Sequence, residues 1–294
     1  MRLDGVGRRY GRNGGNNSGA RSGPWGVWVL RGVDLTLREK SLVRVEGANG
    51  SGKSTLLRLI AGIDVPSAGR ITGRPRCAYV PERFPAAMPM TVLDYLVRMG
   101  RIHGLGRGTA RERAREWLER FGADAYARTP LSELSKGSSQ KVVVSQALMV
   151  GAELLVLDEA WTGLEPAART MLDRAVAALV TDGSTVVFVD HDPGRLAGAA
   201  DATYRVEDGG VRDVTGQEPQ RRGAPASGPR VRVEAEAPPG VVLPEGLPGS
   251  PQVRHTGEDT TVLTVPVAYS DALLRGLLAG YWHIRSVVRE EQPR

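Results

Sequence analysis

The chain has 294 residues, 41% hydrophobic and 24% charged, with a formal net charge of +6. That length suits one large domain plus a small one, with the composition of an ordinary globular protein. No run approaches the roughly 18 apolar residues that span a bilayer, Met1-Arg2-Leu3-Asp4-Gly5 shows no apolar secretion core, and one cysteine, Cys77, cannot form an internal disulfide. The positive charge permits an anionic partner such as nucleic acid or a phospholipid surface. The arginines, however, alternate with Glu and Asp, and cluster only at Arg221-Arg222 and from Arg107 to Arg115.

Residues 1–10 end in Arg8-Arg9-Tyr10, and the Gly-, Asn- and Ser-rich run from Gly11 to Pro24 reads as a flexible surface insertion. Val33, Leu35 and Leu37, then Leu42, Val43 and Val45, predict two strands around a turn at Glu39-Lys40. A glycine-rich loop leads to a helix over Thr55–Ala61, closed by Gly62, and Cys77–Val80 reads as a short strand. Residues 91–122 read as helix throughout, with Ala110, Ala114, Trp117, Leu118 and Phe121 on one core-facing stripe. Further helices are expected at Val142–Val150 and Ala167–Val180, and buried strands at Leu154–Leu157 and Thr185–Val189. Near-continuous apolar strands alternating with helices predict an α/β fold, its parallel sheet covered on both faces. Residues 217–229 read as a linker. Beyond it, strands at Val231–Val233, Thr261–Val267 and Ile284–Val288 surround a helix that Ser270 caps and Gly280 ends, giving a small α+β unit over 230–294.

The chemistry concentrates in three places. Gly47-Ala48-Asn49-Gly50-Ser51-Gly52-Lys53-Ser54-Thr55 fits the phosphate-loop pattern, following a strand and opening a helix. There the glycines let backbone N–H groups converge on phosphate oxygens, Lys53 reaches the β- and γ-phosphates, and Ser54 offers its hydroxyl to Mg²⁺. Leu154 to Leu157 run into Asp158-Glu159. An acid pair in a solvated loop would look the same, but beside a phosphate loop Asp158 fits the Mg²⁺ ligand and Glu159 the group that polarises water. His191 ends the next apolar strand, at the carboxyl edge where ligands bind such sheets, and is placed to reach a γ-phosphate. His103, His255 and His283 have no such placement.

These elements, in this order, resemble the ABC ATPase family, and Leu134-Ser135-Lys136-Gly137-Ser138-Ser139-Gln140-Lys141 looks like its signature sequence. The resemblance runs from about Leu3 to Val214 and implies a P-loop ATPase core over 1–216 with a helical subdomain at about 85–150. It implies further that Ser135, Lys136, Gly137, Ser138 and Gln140 cap ATP held by the opposite subunit of a head-to-tail dimer. Tyr10 would stack on adenine, Glu82 would sit in the Q-loop and touch the metal, and Gly163-Leu164-Glu165 would form the D-loop. The chain departs from the family at Lys136 (usually glycine), Ser138 and Glu82 (usually glutamine) and Glu165 (usually aspartate). Glu82 and Glu165 put rate and subunit coupling in question, while Glu159 and His191 retain the hydrolytic groups.

The tail, through Leu278-Ala279-Gly280-Tyr281-Trp282-His283-Ile284-Arg285-Ser286-Val287, resembles the accessory tail of bacterial drug- and lipid-exporter ATPases. The expected function is ATP hydrolysis with Mg²⁺, by this chain and a second copy or paralogue, driving a separate polytopic membrane permease, with export preferred. The expected location is the inner face of the cell membrane. Nucleic-acid- or ribosome-directed ABC ATPases carry a long coiled coil or two fused cassettes, and neither is present here. A kinase or GTPase on the same loop is opposed by the signature and the Asp158-Glu159 pair.

Overall fold

The computed structural model describes residues 1–11, 26–82, 88–192, 194–196, 198–216, 230–237, 243, 247, 251–256, 260–279 and 282–290. The expected insertion after Gly11, the linker at 217–229 and the helix stop at Gly280 lie outside them. The chain divides into two compact units, Met1–Gly216 and Gln217–Arg294.

The first unit runs β1 (Arg2–Tyr10), β2 (Val27–Thr36), β3 (Leu42–Glu46), α1 (Lys53–Ile60), β4 (Ala68–Thr72), β5 (Cys77–Val80), α2 (Val92–Ile102), α3 (Arg107–Arg120), α4 (Lys136–Leu148), β6 (Leu154–Asp158), α5 (Pro166–Thr181), β7 (Thr185–Val189), β8 (Ala202–Glu207) and β9 (Gly210–Asp213). Six strands form a sheet in the order β5-β6-β7-β3-β8-β9, parallel except for the terminal β8–β9 hairpin. Asp208 and Gly209 turn that hairpin with φ of 49° and 75°, the left-handed backbone that tight hairpins require. A separate antiparallel sheet, β2-β1-β4, lies in the same unit.

Each of β6 and β7 is buried at every position, because each packs two cores. Leu155, Leu157, Val186 and Phe188 join the core built with α2 to α5, while Leu154, Val156, Val187 and Val189 join the core shared with α1, β1 and β2. Side chains alternate across a strand, so a sheet covered on both faces must be apolar at consecutive positions.

Several boundaries differ from the sequence reading. The strands either side of Glu39-Lys40 are not partners: β2 pairs with β1, and β3 pairs with β7 and β8. The expected helix over 91–122 is two helices, broken where Gly104 takes φ of 89°. Of its stripe, Ala110, Ala114, Leu118 and Phe121 are buried, and Trp117 is half-buried beside Phe121. The helix expected from Val142 begins instead at Lys136, so the signature residues form its first turns.

The second unit holds β10 (Arg230–Glu236), β11 (Gln252–His255), β12 (Thr260–Pro266), α6 (Ser270–Ala279) and β13 (His283–Glu290), its sheet ordered β11-β12-β10-β13 and antiparallel. Val231, Val233, Leu263, Val265, Leu273, Leu277 and Trp282 make its core. Ser270 is the first helical residue and not the cap; its hydroxyl donates to the Val267 carbonyl, 2.8 Å away.

Candidate nucleotide site

The loop between β3 and α1 is shaped by glycine. Gly47 has φ of 149°, and a Cβ there would come within 2.5 Å of the Val206 carbonyl oxygen. Gly52, at φ 108°, turns the chain into α1 against Val29 and Leu30. Lys53 folds its ammonium back onto the carbonyls of Gly47 and Ala48, both at 3.0 Å. The buried Ser51 hydroxyl has no hydrogen-bond partner among the described residues, an orphan that a phosphate oxygen would satisfy. A cleft of about 340 Å³ opens over this loop, lined by Val29, Asn49, Gly50, Gly52, Lys53, Ser54, Thr55, Glu82, Glu159 and His191.

The two carboxylates that end β6 diverge. Asp158 is buried; one oxygen accepts from the Ser54 hydroxyl at 3.3 Å and the other from the Tyr79 hydroxyl at 3.1 Å. Burial raises its pKa above the ordinary value, opposed by those two hydrogen bonds. Tyr79 on β5 is a site residue that an apolar reading of that strand misses. Burial likewise raises the pKa of its hydroxyl, and the Asp158 charge adds to the effect.

Glu159 has a left-handed backbone, φ 55°, and its carboxylate lies 2.6 Å from His191 Nε2. Strand register makes this meeting possible, since Asp158 pairs with Val189 across β6 and β7 and each catalytic candidate lies just beyond. Burial raises the Glu159 pKa, His191 lowers it, and the charges of Glu82 and Asp158 raise it further. Lys53 is pulled below its ordinary pKa by burial, with Glu159, Asp158 and Glu82 pulling the other way. Glu82 is exposed at the cleft wall, close enough for its charge to act on all three.

Ser54 and Asp158, already in contact, are the oxygen ligands available to Mg²⁺, with Glu82 bordering the same cleft. Hard cations favour such an oxygen set.

Tyr10, at the end of β1, donates from its hydroxyl to Asp64 at 2.6 Å and accepts from Arg58 at 3.1 Å, with the Arg8 guanidinium 4.7 Å from its ring centre. It is not among the residues lining the cleft.

None of the signature residues lines it either. Ser135 caps α4, its Oγ accepting from the Ser138 N–H at 3.1 Å and lying 2.7 Å from the Ser138 hydroxyl. Ser135 and Lys136 are exposed, whereas Gln140 is buried and donates its amide to the Ala160 carbonyl at 2.9 Å. Gln140 therefore ties α4 to the loop carrying Glu159. A Cβ on Gly137 would come within 3.1 Å of the Gly163 carbonyl oxygen, and Lys141 pairs with Glu165 at 3.3 Å, so the signature helix and the expected D-loop adjoin. Cys77 is half-buried with its thiol pushed up to about 12 by burial, which suits a packed strand residue and not a nucleophile.

A parallel sheet with a phosphate loop, an adjacent acidic strand end and a histidine on the next strand defines a P-loop nucleotide-binding cassette. The profile of the ABC transporter family matches residues 30–162. The zinc import ATP-binding protein ZnuC of Cereibacter sphaeroides is 35% identical over 178 residues, covering 59% of this chain and 70% of that one. This chain belongs to the ABC transporter ATP-binding family. An uncharacterised ABC transporter ATP-binding protein of Bacillus subtilis, YhaQ, is 36% identical over 172 residues, 55% of this chain, which spans only 58% of that protein's length. The macrolide export ATP-binding/permease protein MacB 1/2 of Paracoccus denitrificans is 32% identical over 247 residues, 78% of this chain and 34% of that one. Among solved structures, a dimeric ATP-binding cassette in a post-hydrolysis state with ADP and phosphate shares the fold, with TM-score 0.62, 24% identity, and coverage of 72% of this chain and 97% of that one.

Proposed function

We infer that this chain binds ATP over the phosphate loop and hydrolyses it, as the nucleotide-binding subunit of a transporter. The observation that carries this reading is the Glu159–His191 contact of 2.6 Å at the wall of the phosphate-loop cleft. Backbone N–H groups at the start of α1 and the Lys53 ammonium suit the β- and γ-phosphates. Mg²⁺, held by Ser54 and Asp158, would neutralise phosphate charge. Glu159, its pKa raised by burial, is the base that orients the attacking water and takes its proton. His191 fixes the direction of that carboxylate and is exposed enough to donate to a γ-phosphate.

The exposed start of α4, which lies outside the cleft lining, supports a second site-half presented to another subunit. No helix among the described residues is long and apolar enough to cross a membrane; the transport names of the relatives support a membrane permease as partner and a place at the membrane against it. Export remains our preference, from the likeness of the tail and the long alignment with a macrolide exporter; the zinc importer relative argues the other way.

The test is Glu159→Gln. It should bind MgATP with unchanged affinity while turnover falls roughly 10²–10⁴-fold, the loss typical of a removed general base. Near-normal turnover would overturn the assignment.

A further inference from the structure

The Glu159–His191 geometry rests on backbone that secondary structure alone does not hold. The last backbone hydrogen bond between the two strand ends joins the Glu159 N–H to the Val189 carbonyl at 3.1 Å. Beyond it Glu159 takes a left-handed φ, and so does Leu196 on the other side, at 49°. For residues with a Cβ such conformations cost on the order of 1–3 kcal/mol and persist only where the surroundings over-determine them.

The surroundings here converge on one guanidinium. Arg195 is only 13% exposed at its side chain. Its Nη1 donates to Asp173 of α5 at 3.0 Å, its Nε lies 3.7 Å from Asp190, and its Nη2 lies 3.5 Å from Asp192. The two residues flanking His191 thus form ion pairs with the same cation, while its one short hydrogen bond goes to Asp173. The guanidinium carbon also lies 5.5 Å from the ring centre of Trp161, two residues after Glu159. Trp161 is buried edge-on to Phe188, and its indole N–H donates to the other Asp173 oxygen at 2.8 Å. From the sheet side, Arg44 of β3 donates to the carbonyls of Arg195 and Asp192, each at 3.0 Å.

We propose that Arg195, through Asp173 and Trp161, is a positioning residue that clamps the loop carrying Glu159 to the loop carrying His191. The inference rests on the reading of Glu159 and His191 as the hydrolytic pair and adds a residue that touches neither. A planar guanidinium is suited to such a clamp, because it can serve two carboxylates in fixed directions while stacking on an indole, which an ammonium cannot do. A buried cation that merely balanced three aspartates would give the same contacts, so the test must separate positioning from folding.

The purified full chain is compared with Arg195→Lys and Arg195→Met, each also made with His191→Ala. Turnover of MgATP, affinity for a non-hydrolysable ATP analogue and melting temperature are measured. Misplacing a catalytic group by about 1 Å costs up to roughly 10²-fold. We therefore expect kcat to fall about 10- to 100-fold in Arg195→Met, and less in Arg195→Lys. Analogue affinity should change less than about twofold, because the phosphate loop is untouched. With His191 removed there is no pair to align, so adding either Arg195 change should cost less than about a further twofold, the mark of coupled sites. Full kcat in folded Arg195→Met and Arg195→Lys, or the same fold-loss with and without His191, would overturn the proposal. Glu159→Gln is assayed alongside: normal turnover there sinks the hydrolytic reading and the clamp with it. An inactive Glu159→Gln beside a fully active Arg195→Met sinks the clamp alone.

Discussion

Asp158 shows how a functional group is kept at a cost to the empty fold. It is a buried carboxylate whose pKa is raised by burial, and the hydroxyls of Ser54 and Tyr79 compensate only in part. With the folded value above the ordinary 3.8, the native state holds its proton more tightly than the unfolded chain. Stability from this group is therefore greatest below the ordinary value and is lost as pH rises through the window up to the folded value. Asp158→Asn removes that loss. In the nucleotide-free protein it should melt about 2–4 °C higher at pH 7, a shift worth about 1 kcal/mol in a domain of this size, with a flatter pH dependence above pH 4. Thermal melts across pH 3–8 check this, and a lower melting point at neutral pH would mean the two hydrogen bonds outweigh burial. The same variant should lose Mg²⁺-dependent ATP binding. Neither Tyr79 nor Trp161 could be recognised beforehand as a partner of the site, because their letters are those of ordinary core residues. Only contact reveals which polar atom an aromatic side chain spends on a neighbour.

On the proposed reading, helix α4 would carry two duties at one residue. Ser135 satisfies the Ser138 N–H as the N-cap and is also exposed, where an anion presented by another subunit would meet the helix start. Ser135→Ala should cost about 1 kcal/mol of stability and weaken ATP-driven association. Ser135→Asp separates the duties. An aspartate caps as well as serine and suits the helix dipole, so the melting point should hold. Its charge opposes a γ-phosphate, so association in the presence of ATP should be lost. Melting curves and size-exclusion chromatography with ATP read the two effects apart, and a Ser135→Asp chain that still associates would place the anion elsewhere. The signature residues were readable in the sequence, but the helix start was not. Lys136 to Gln140 carry no apolar periodicity, and the capping serine, not a hydrophobic stripe, sets where α4 begins.

Under the proposed reading, a nucleotide-binding half at the phosphate loop and a capping half that does not line the same cleft would complete the site only with a second subunit. Mixing Lys53→Ala chains with Ser135→Ala chains tests this directly. One of the two sites in a mixed head-to-tail dimer collects both lesions and the other collects none. The mixture should recover ATP turnover that neither variant shows alone, approaching half of the normal rate per mixed dimer if the sites act independently. Equal inactivity of the mixture and of each variant would mean that one chain holds all the catalytic parts. The C-terminal unit has its own apolar core around Val233, Leu263 and Trp282, as a separate small domain should.

The phosphate loop, the acidic strand end, the histidine after the next strand and the signature order were all legible from the chain itself. Each is local: a few consecutive residues whose spacing is dictated by the chemistry they serve. The strands β6 and β7 were legible for a related reason, since burial on two faces leaves four consecutive apolar residues in each, with a polar residue only at one end, Asp158 in β6 and Thr185 in β7. What the sequence did not disclose was pairing. Strand β1, with glycines at 5 and 7 and charges between its apolar residues, shows no clean alternation, and its place beside β2 and β4 is decided by partners distant in the chain. The 2.6 Å approach of Glu159 to His191, residues 32 positions apart, follows from the parallel register of β6 and β7. The cluster of Arg195, Asp173, Asp190 and Trp161 likewise exists only once three elements have packed. Local rules fix what each segment can do; the long-range burial of apolar surface decides which segments meet.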